Sequence, residues 1–160
     1  MDTIGTSRDE NKSRYLDALG LIERLHRRLL DLIKIELDRV GRHDVNSVQA
    51  LLLYNIGDAE LTAGELRTRG YYLGSNVSYN LKKLVASGYV DHQRSTADRR
   101  SVRIRLTVAG HEVRSLVDRV FDAHVAVLAR DGELDGRALS QLIVGLRRLE
   151  RFWYDTPLPR

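Results

Sequence analysis

The chain has 160 residues, of which 42% are hydrophobic and 30% are charged, and its formal net charge is +4. This composition is typical of a globular protein with enough apolar material for a core, and no apolar run is long enough to predict a transmembrane helix. Because the sequence has no cysteine, it excludes disulfide bonds, cysteine zinc sites and thiol-based redox sensing.

The first half of the chain predicts two amphipathic helices. Residues 1–12 are polar and lack the apolar stretch of a signal peptide, so we expect a disordered tail on a cytoplasmic protein. From about Ser13 to Val40, apolar residues recur at three- and four-residue steps, which predicts a long helix that ends at Gly41. A second helix is expected from about Val45 to Ile56.

The middle of the chain predicts a helix-turn-helix. The segment from Thr62 to Glu65 has the sequence of a capping box, in which each side chain bonds to the backbone amide of the other residue. It is expected to open a short helix that ends near Gly70. A further helix is expected from Ser75 or Asn76 to about Ser87, with Gly88 as the residue that terminates it.

Two strands and two helices complete the chain. Tyr89–Arg94 is expected to form a short strand, and the alternation over Ser101–Thr107 predicts a second strand that pairs with it as a β-hairpin. Helices are expected from about Thr107 to Ala129 and from about Asp135 to Tyr154, followed by a C-terminal tail at residues 155–160. The fold class is therefore mainly α, a helix-turn-helix followed by a small β-hairpin wing, with long helices at both ends.

Positive charge is concentrated in one part of the chain. Residues 66–105 contain nine Lys or Arg and two acidic residues, a net charge of +7, so the remaining residues carry −3. A basic block on a slightly acidic body is typical of a polyanion-binding protein. The alternative is a charged surface that contacts only solvent.

The predicted helix that begins at Ser75 carries residue types that read DNA. Its apolar residues fall on one stripe: Val77, Leu81, Leu84 and Val85. Four polar residues are spaced to share an exposed face: Asn76, Tyr79, Asn80 and Lys83. Amides can bond base edges and lysines can contact phosphates. The residues expected to contact DNA from this helix are Ser75, Asn76, Ser78, Tyr79, Asn80, Lys82 and Lys83.

The wing is expected to provide the second set of DNA contacts. Arg103 and Arg105 alternate with apolar residues and are expected to face outward. An arginine at the tip of a projecting hairpin can enter the minor groove, where the negative potential is strongest, and an aspartate beside it can hold it by a bidentate pair. The residues expected to contact DNA from the wing are Arg94, Asp98, Arg99 and Arg100.

The segment DRRSVRIRLTVAGHE resembles the wing signature of the MarR family of winged helix-turn-helix regulators. That signature is Asp-x-Arg, a strand, then Leu-Thr, two residues and Gly, here Asp98, Arg100, Leu106, Thr107 and Gly110. The segment SNVSYNLKKLVASGYV resembles the recognition helix of the family, and GYYLGSNVSYNLKKLVASGY resembles the LdtR-type subgroup. The order of helices is similar to that of the family over nearly the whole chain.

The resemblance implies a homodimer that binds a pseudo-palindromic operator in double-stranded DNA. It implies dimerisation helices at residues 13–44 and 107–154, and a winged helix-turn-helix DNA-binding domain at residues 45–106. Arg100 matches the wing-tip arginine that the family places in the minor groove, and Asp98 matches the acid that orients it. The wide apolar stripes at both ends of the chain agree, because a monomer of this size cannot easily bury them.

Other functions are less well supported. An enzyme is not expected, because the five histidines are scattered and no hydrolase, phosphate-loop or zinc-protease motif occurs. No cofactor, bound metal or membrane partner is expected, although His43, His111 and Glu112 could approach one another. A winged-helix module that binds protein instead of DNA is the alternative, but such a surface tends to expose apolar or acidic residues.

A small-molecule effector is left open by the sequence. Many members of the MarR family bind one in a crevice between the dimerisation helices and the winged domain. The resemblance makes His43, Tyr54 and His111 candidate lining residues of such a ligand pocket, with packing as their alternative role.

Overall fold

The computed structural model describes residues 3–62, 65–66, 74–94, 102–132 and 134–156, and among these the side chains of residues 8–62, 65–66, 76–92, 103–132 and 134–156. The helices are α1 (Thr3–Arg39), α2 (Ser47–Ile56), α3 (Gly74–Ala86), α4 (Val108–Asp131) and α5 (Gly136–Asp155), and the strands are β1 (Leu61–Thr62), β2 (Val90–Arg94) and β3 (Val102–Leu106). The predicted fold class, mainly α with a small β wing, is confirmed. In this part of the chain, no helix is both long and apolar enough to cross a membrane.

Helix α1 begins earlier than the sequence predicts. It starts at Thr3, so residues 3–12, which were expected to be disordered, are helical. The polar residues here include good helix formers, and Glu10 Oε2 lies 3.6 Å from Arg14 Nη2 one turn later. Extending an existing helix adds one hydrogen bond per residue without a new nucleation cost, so the extension needs no apolar face of its own.

Helices α1 and α3 end in the same way, at the glycines that the sequence predicts. Gly41 and Gly88 have φ angles of 73° and 77°, a region that L side chains rarely adopt. The amide of Arg42 bonds to the carbonyl of Leu37 at 2.9 Å, and the amide of Tyr89 bonds to that of Leu84 at the same distance. These are Schellman motifs, and each places the residue after the glycine in a fixed position.

Helix α2 has a cap that the sequence interpretation missed. Asn46 Oδ1 accepts from the Gln49 amide at 2.9 Å, and Gln49 Oε1 accepts from the Asn46 amide at 3.1 Å. This capping box starts the helix at Ser47 instead of Val45. The predicted capping box at the next helix is confirmed, because Thr62 Oγ1 accepts from the Glu65 amide at 3.1 Å and Glu65 Oε2 accepts from the Thr62 amide.

The wing is a three-stranded antiparallel sheet and not a simple two-stranded hairpin. Its strand order is β1-β3-β2, with Leu61 and His92 both opposite Ile104. Leu61, for which the sequence predicts no strand, is buried in β1. Hydrophobic periodicity cannot detect a two-residue strand, because pairing with a distant strand is what defines it.

The chain divides into two compact units, residues 1–118 and residues 119–160. In the first unit, every helix and the sheet contribute buried apolar side chains to the core. The main ones are Ile33 and Leu37 of α1, Leu52, Leu53 and Ile56 of α2, Val77 and Leu84 of α3, Ile104 and Leu106 of β3, and Val113 and Val117 of α4. In the second unit, no residue of α5 is buried.

Candidate nucleic-acid interface

Helix α3 is anchored by one apolar face. Val77, Leu81 and Leu84 are buried as predicted, and Val85 is half-buried at the edge of the stripe. Against this face lie α2 and β2, which leaves the opposite face of α3 open to solvent. Burial of these side chains contributes about 1.5–3 kcal/mol each, so the orientation of the open face is well determined.

The open face of α3 carries amide, aromatic and cationic groups. The exposed residues are Asn76, Ser78, Tyr79, Lys82 and Lys83. Tyr79 is 62% exposed, and Lys83 Nζ lies 5.8 Å from the centroid of its ring. This cation–π contact holds the ammonium group near the aromatic ring on the same surface. The sequence has no carboxylate between Glu65 and Asp91, so nothing along this helix repels a phosphate.

The prediction that Asn80 lies on the exposed face is wrong. Its side chain is only 9% exposed, and Nδ2 donates to the carbonyl oxygen of Asn76 at 2.9 Å. The residue is three positions after Val77 and four before Leu84, which places it within the buried arc of the helix. The hydrogen bond to the preceding turn gives the buried side-chain amide of Asn80 a partner, so Asn80 stabilises α3 on its packed side.

Several predicted DNA contacts lie outside the part of the chain that the structure describes. These are the wing-tip residues Asp98, Arg99 and Arg100, and the side chains of Ser75 and Arg94. Their roles therefore stay predictions. The strands that lead to the wing tip are described, and they show which way the wing charges face.

The outward charges of the wing strands are paired with acids. Ile104 and Leu106 are buried while Arg103 and Arg105 are about half exposed, which confirms the predicted alternation. Arg103 Nη1 lies 3.4 Å from Glu60 Oε2, and Arg105 Nη2 lies 3.6 Å from Asp91 Oδ2. Exposed pairs like these contribute less than about 1 kcal/mol each, but they reduce the positive potential of the wing strands. Lys82 and Lys83 are thus the stronger phosphate candidates.

The Leu-Thr-x-x-Gly part of the wing signature joins the wing to α4. Thr107 Oγ1 accepts from the Gly110 amide at 3.2 Å and donates to the Gly88 carbonyl at 2.7 Å. The Thr107 amide donates to the Tyr89 carbonyl at 3.1 Å. A Cβ atom at Gly110 would lie 2.2 Å from that carbonyl oxygen, so only glycine allows α4 to pass this close to the end of α3.

A polar network that the sequence interpretation missed lies beside this junction. Tyr89, which is 2% exposed, donates its hydroxyl hydrogen to Asp44 Oδ2 at 2.5 Å and accepts from Arg42 Nη1 at 3.1 Å. Arg42 Nη2 also donates to Glu112 Oε2. We call these four residues the Tyr89 clamp. The available signal was the position of Arg42 and Tyr89 directly after the helix-ending glycines.

The protonation states in the Tyr89 clamp follow from burial and hydrogen bonding. Burial, together with the nearby Asp44 carboxylate, raises the pKa of the Tyr89 hydroxyl. The hydrogen bond from that hydroxyl lowers the pKa of Asp44. At neutral pH the phenol is therefore protonated and the carboxylate is ionised, which fixes the donor and the acceptor.

One of the three candidate ligand-pocket residues, His43, lines a cavity in the described part of the chain. His43 lines a cavity of about 230 Å³ between the end of α1 and the start of α2, with neither Tyr54 nor His111 in its lining. His43 Nδ1 is 3.4 Å from Asp38 Oδ1, and a hydrogen bond from Lys34 lowers the pKa of that carboxyl group. Tyr54 is half-buried in α2.

The region around His111 is a network of ion pairs. His111 Nδ1 is 3.6 Å from Asp58 Oδ1, and Arg114 Nη1 donates to the same oxygen at 2.7 Å. Glu112, which could have joined His43 and His111 at a metal, is bonded to Arg42. Within the described ranges, no group of three or more His, Asp or Glu residues is placed to hold a metal ion.

A helix-turn-helix with a winged sheet and a recognition helix free of acidic residues defines a winged-helix DNA-binding transcriptional regulator. Residues 43–101 match the sequence profile of the MarR family. The chain is 37% identical over 155 residues to the exopolysaccharide II synthesis transcriptional activator ExpG of Rhizobium meliloti (strain 1021), covering 96% of this chain and 79% of that protein. The chain belongs to the MarR family.

Solved structures of regulators share the fold. FabT of Streptococcus pneumoniae, in complex with DNA, has a TM-score of 0.69 at 22% identity and covers 88% of this chain and 98% of its own. A MarR variant from E. coli, complexed with operator DNA, has a TM-score of 0.66 at 19% identity and covers 85% and 95%. MarR of Staphylococcus aureus, in complex with salicylate and kanamycin, has a TM-score of 0.69 at 17% identity and covers 94% and 97%. The resemblance to the LdtR-type subgroup stays a prediction.

Proposed function

We propose that the protein is a homodimeric, sequence-specific regulator that binds a pseudo-palindromic operator and acts by binding DNA instead of by catalysis. In this proposal α3 enters the major groove, while Arg100 at the wing tip enters the minor groove. The observation that carries the proposal is the open face of α3, where Asn76 and Tyr79 adjoin Lys82 and Lys83 without an acidic residue. Amides discriminate between base edges, whereas lysines contact phosphates of any sequence.

Exposed apolar side chains on two helices support the homodimer. In α1 they are Tyr15, Leu16, Leu21 and Leu25, and in α5 they are Leu142, Ile143, Leu146, Phe152 and Trp153. Apolar surface of this extent on a monomer is typical of a protein–protein interface. An isologous dimer covers the same residues on both protomers and sets two recognition helices about one turn of DNA apart.

A cytoplasmic location and a small-molecule effector complete the proposal. A regulator that binds operator DNA works where the DNA is, which is the cytoplasm in bacteria. The complex of Staphylococcus aureus MarR with salicylate and kanamycin supports an effector for this chain as well. Of the three candidate lining residues, His43 lines a cavity in the described part of the chain, so His43 is the first position at which to monitor ligand binding.

Asn76 and Lys82 provide the test of major-groove recognition. Asn76→Ala is expected to lower affinity for the preferred site by about 1–3 kcal/mol and to leave binding to unrelated DNA nearly unchanged, because a base contact is lost. Lys82→Ala is expected to weaken binding to all sequences equally and to reduce the slope of log K against log salt by about one. Fluorescence anisotropy with a duplex selected from random DNA measures both effects. A wild-type affinity that does not depend on salt would contradict the proposal.

Arg100 provides the test of minor-groove recognition. Arg100→Ala is expected to lower operator affinity while leaving the dimer intact, because a cation is removed from the region of strongest negative potential. Arg137→Ala, at an exposed position in α5, removes the same charge away from the wing and is the control. Gel-shift titration and sedimentation velocity measure affinity and assembly. Equal operator affinities of the two variants would rule out the minor-groove role.

A further inference from the structure

The Tyr89 clamp joins the ends of α1 and α3 through their terminal residues. Arg42 is the third residue after the end of α1 and is fixed by a Schellman motif, and Tyr89 holds the equivalent position after α3. Backbone hydrogen bonds therefore fix the positions of Arg42 and Tyr89 independently of the contact between their side chains. The guanidinium lies over the Tyr89 ring, 5.9 Å from its centroid, in addition to bonding the hydroxyl.

The clamp leaves little freedom at this contact. The hydroxyl of Tyr89 uses both its donor and its acceptor capacity, toward Asp44 and Arg42. The second amino group of Arg42 bonds Glu112 in α4, so one guanidinium connects three parts of the chain. Hydrogen bonds that involve a charged partner are about twice as strong as those between neutral groups.

We infer that the Tyr89 clamp fixes the orientation of the recognition helix α3 relative to α1, and that Tyr89 is a positioning residue for operator recognition. The inference rests on the proposed function, in which α1 takes part in the dimer interface. A rotation of α3 against α1 changes the separation of the two recognition helices. The clamp thereby determines how strictly the protein discriminates between half-site spacings, while the residues on the face of α3 read the bases.

The first experiment measures the geometry of the clamp without DNA. Because the chain has no cysteine, spin labels can be attached through Asp31→Cys in α1 and Lys82→Cys in α3. Labelled protein is mixed with excess unlabelled protein, so that double electron–electron resonance reports the distance within one chain. Tyr89→Phe keeps the ring but removes both hydroxyl hydrogen bonds, and we expect it to broaden this distance distribution.

Two further variants are controls, and a third tests the Tyr89 clamp without changing Tyr89. Tyr154→Phe removes a hydroxyl from a residue that is 80% exposed, and is expected to leave the distribution unchanged. Asp44→Asn keeps an oxygen that can accept from Tyr89, so its distribution should stay close to that of the wild type. Arg42→Lys keeps the charge but not the fork that bonds Tyr89 and Glu112 together, and should broaden the distribution as Tyr89→Phe does.

The second experiment measures spacing discrimination. Affinity is compared between the duplex that the wild type selects from random DNA and versions with one base pair added or removed between the half-sites. Tyr89→Phe is expected to reduce the preference for the native spacing by at least about tenfold, the factor for one of the two hydrogen bonds to charged groups that it loses, while its base preference within each half-site persists. A protein destabilised without loss of positioning would lose affinity equally for all spacings.

The outcomes separate the inference from the proposed function. Narrow distance distributions in folded Tyr89→Phe and Arg42→Lys would overturn the clamp, as would an unchanged spacing preference. A broadened distribution in a protein whose wild type selects no DNA site would support the mechanical role of the clamp and reject the proposed function. Broadening together with relaxed spacing would support both.

Discussion

Gly110→Ala is expected to destabilise the protein by about 3 kcal/mol, the upper part of the range for forcing an extra carbon into a packed site. The added Cβ atom would lie 2.2 Å from the Tyr89 carbonyl oxygen and 3.2 Å from Leu106 Cβ. Neither neighbour can move aside freely, because the carbonyl accepts from the Thr107 amide and Leu106 is buried in β3. Urea unfolding followed by circular dichroism, at one fixed protein concentration, measures the loss.

Gly136→Ala is the matched control for this substitution. Gly136 is the first residue of α5, its φ angle is not positive, and nothing lies within 4 Å of the position of its Cβ. Here alanine is expected to raise the free energy of unfolding by about 0.4–1 kcal/mol, because it restricts the unfolded chain. Equal stabilities of the two variants would show that space at Gly110 is not limiting.

Leu146→Glu is expected to dissociate the dimer. Leu146 lies on the apolar stripe of α5 and is 42% exposed in the single chain. In an isologous interface the substitution occurs twice, and each unpaired buried charge costs about 3 kcal/mol or more. The two charges together cost about 6 kcal/mol, so the dissociation constant should rise by about 10,000-fold, and affinity for a full operator should fall with it.

Gln141→Glu controls for the added charge. Gln141 is exposed and lies five residues before Leu146, about 140° from it around the axis of α5. It is expected to leave the dimer intact. Sedimentation velocity over a range of concentrations distinguishes the two variants, and a Leu146→Glu protein that dimerises like the wild type would place the interface elsewhere.

Local features of the chain were predictable because their causes lie within a few residues. Gly41 and Gly88 end helices in Schellman motifs, and Thr62 and Glu65 form a capping box, each through hydrogen bonds that span three to five residues. The apolar stripe of α3 depends only on the helical repeat. The same repeat also places Asn80 beside Val77 and Leu84 in the buried arc, but its polar side chain led to the prediction that it is exposed.

Contacts between distant residues were not predictable from one sequence. Tyr89 is separated from Arg42 by 47 residues and from Asp44 by 45. Glu60, which neutralises part of the wing charge, is 43 residues from Arg103. In the sequence Tyr89 is simply a strand-forming aromatic residue, and Arg103 is simply one more cation in a basic block. Neither residue type identifies the distant side chain that bonds to Tyr89 or Arg103 and changes its role.

The sequence by itself determined the C-terminal ends of α1 and α3, the winged helix-turn-helix order and the basic recognition helix, since these depend on residue type and short spacing. The tertiary structure decided that the wing has a third strand, that Asn80 is internal, and that the Tyr89 clamp joins the ends of α1 and α3. It also explains why the glycine of the wing signature is needed, because the backbones of α4 and Tyr89 approach each other there. These properties require segments far apart in the chain to meet, and that meeting is set by burial of the shared core and not by local preference.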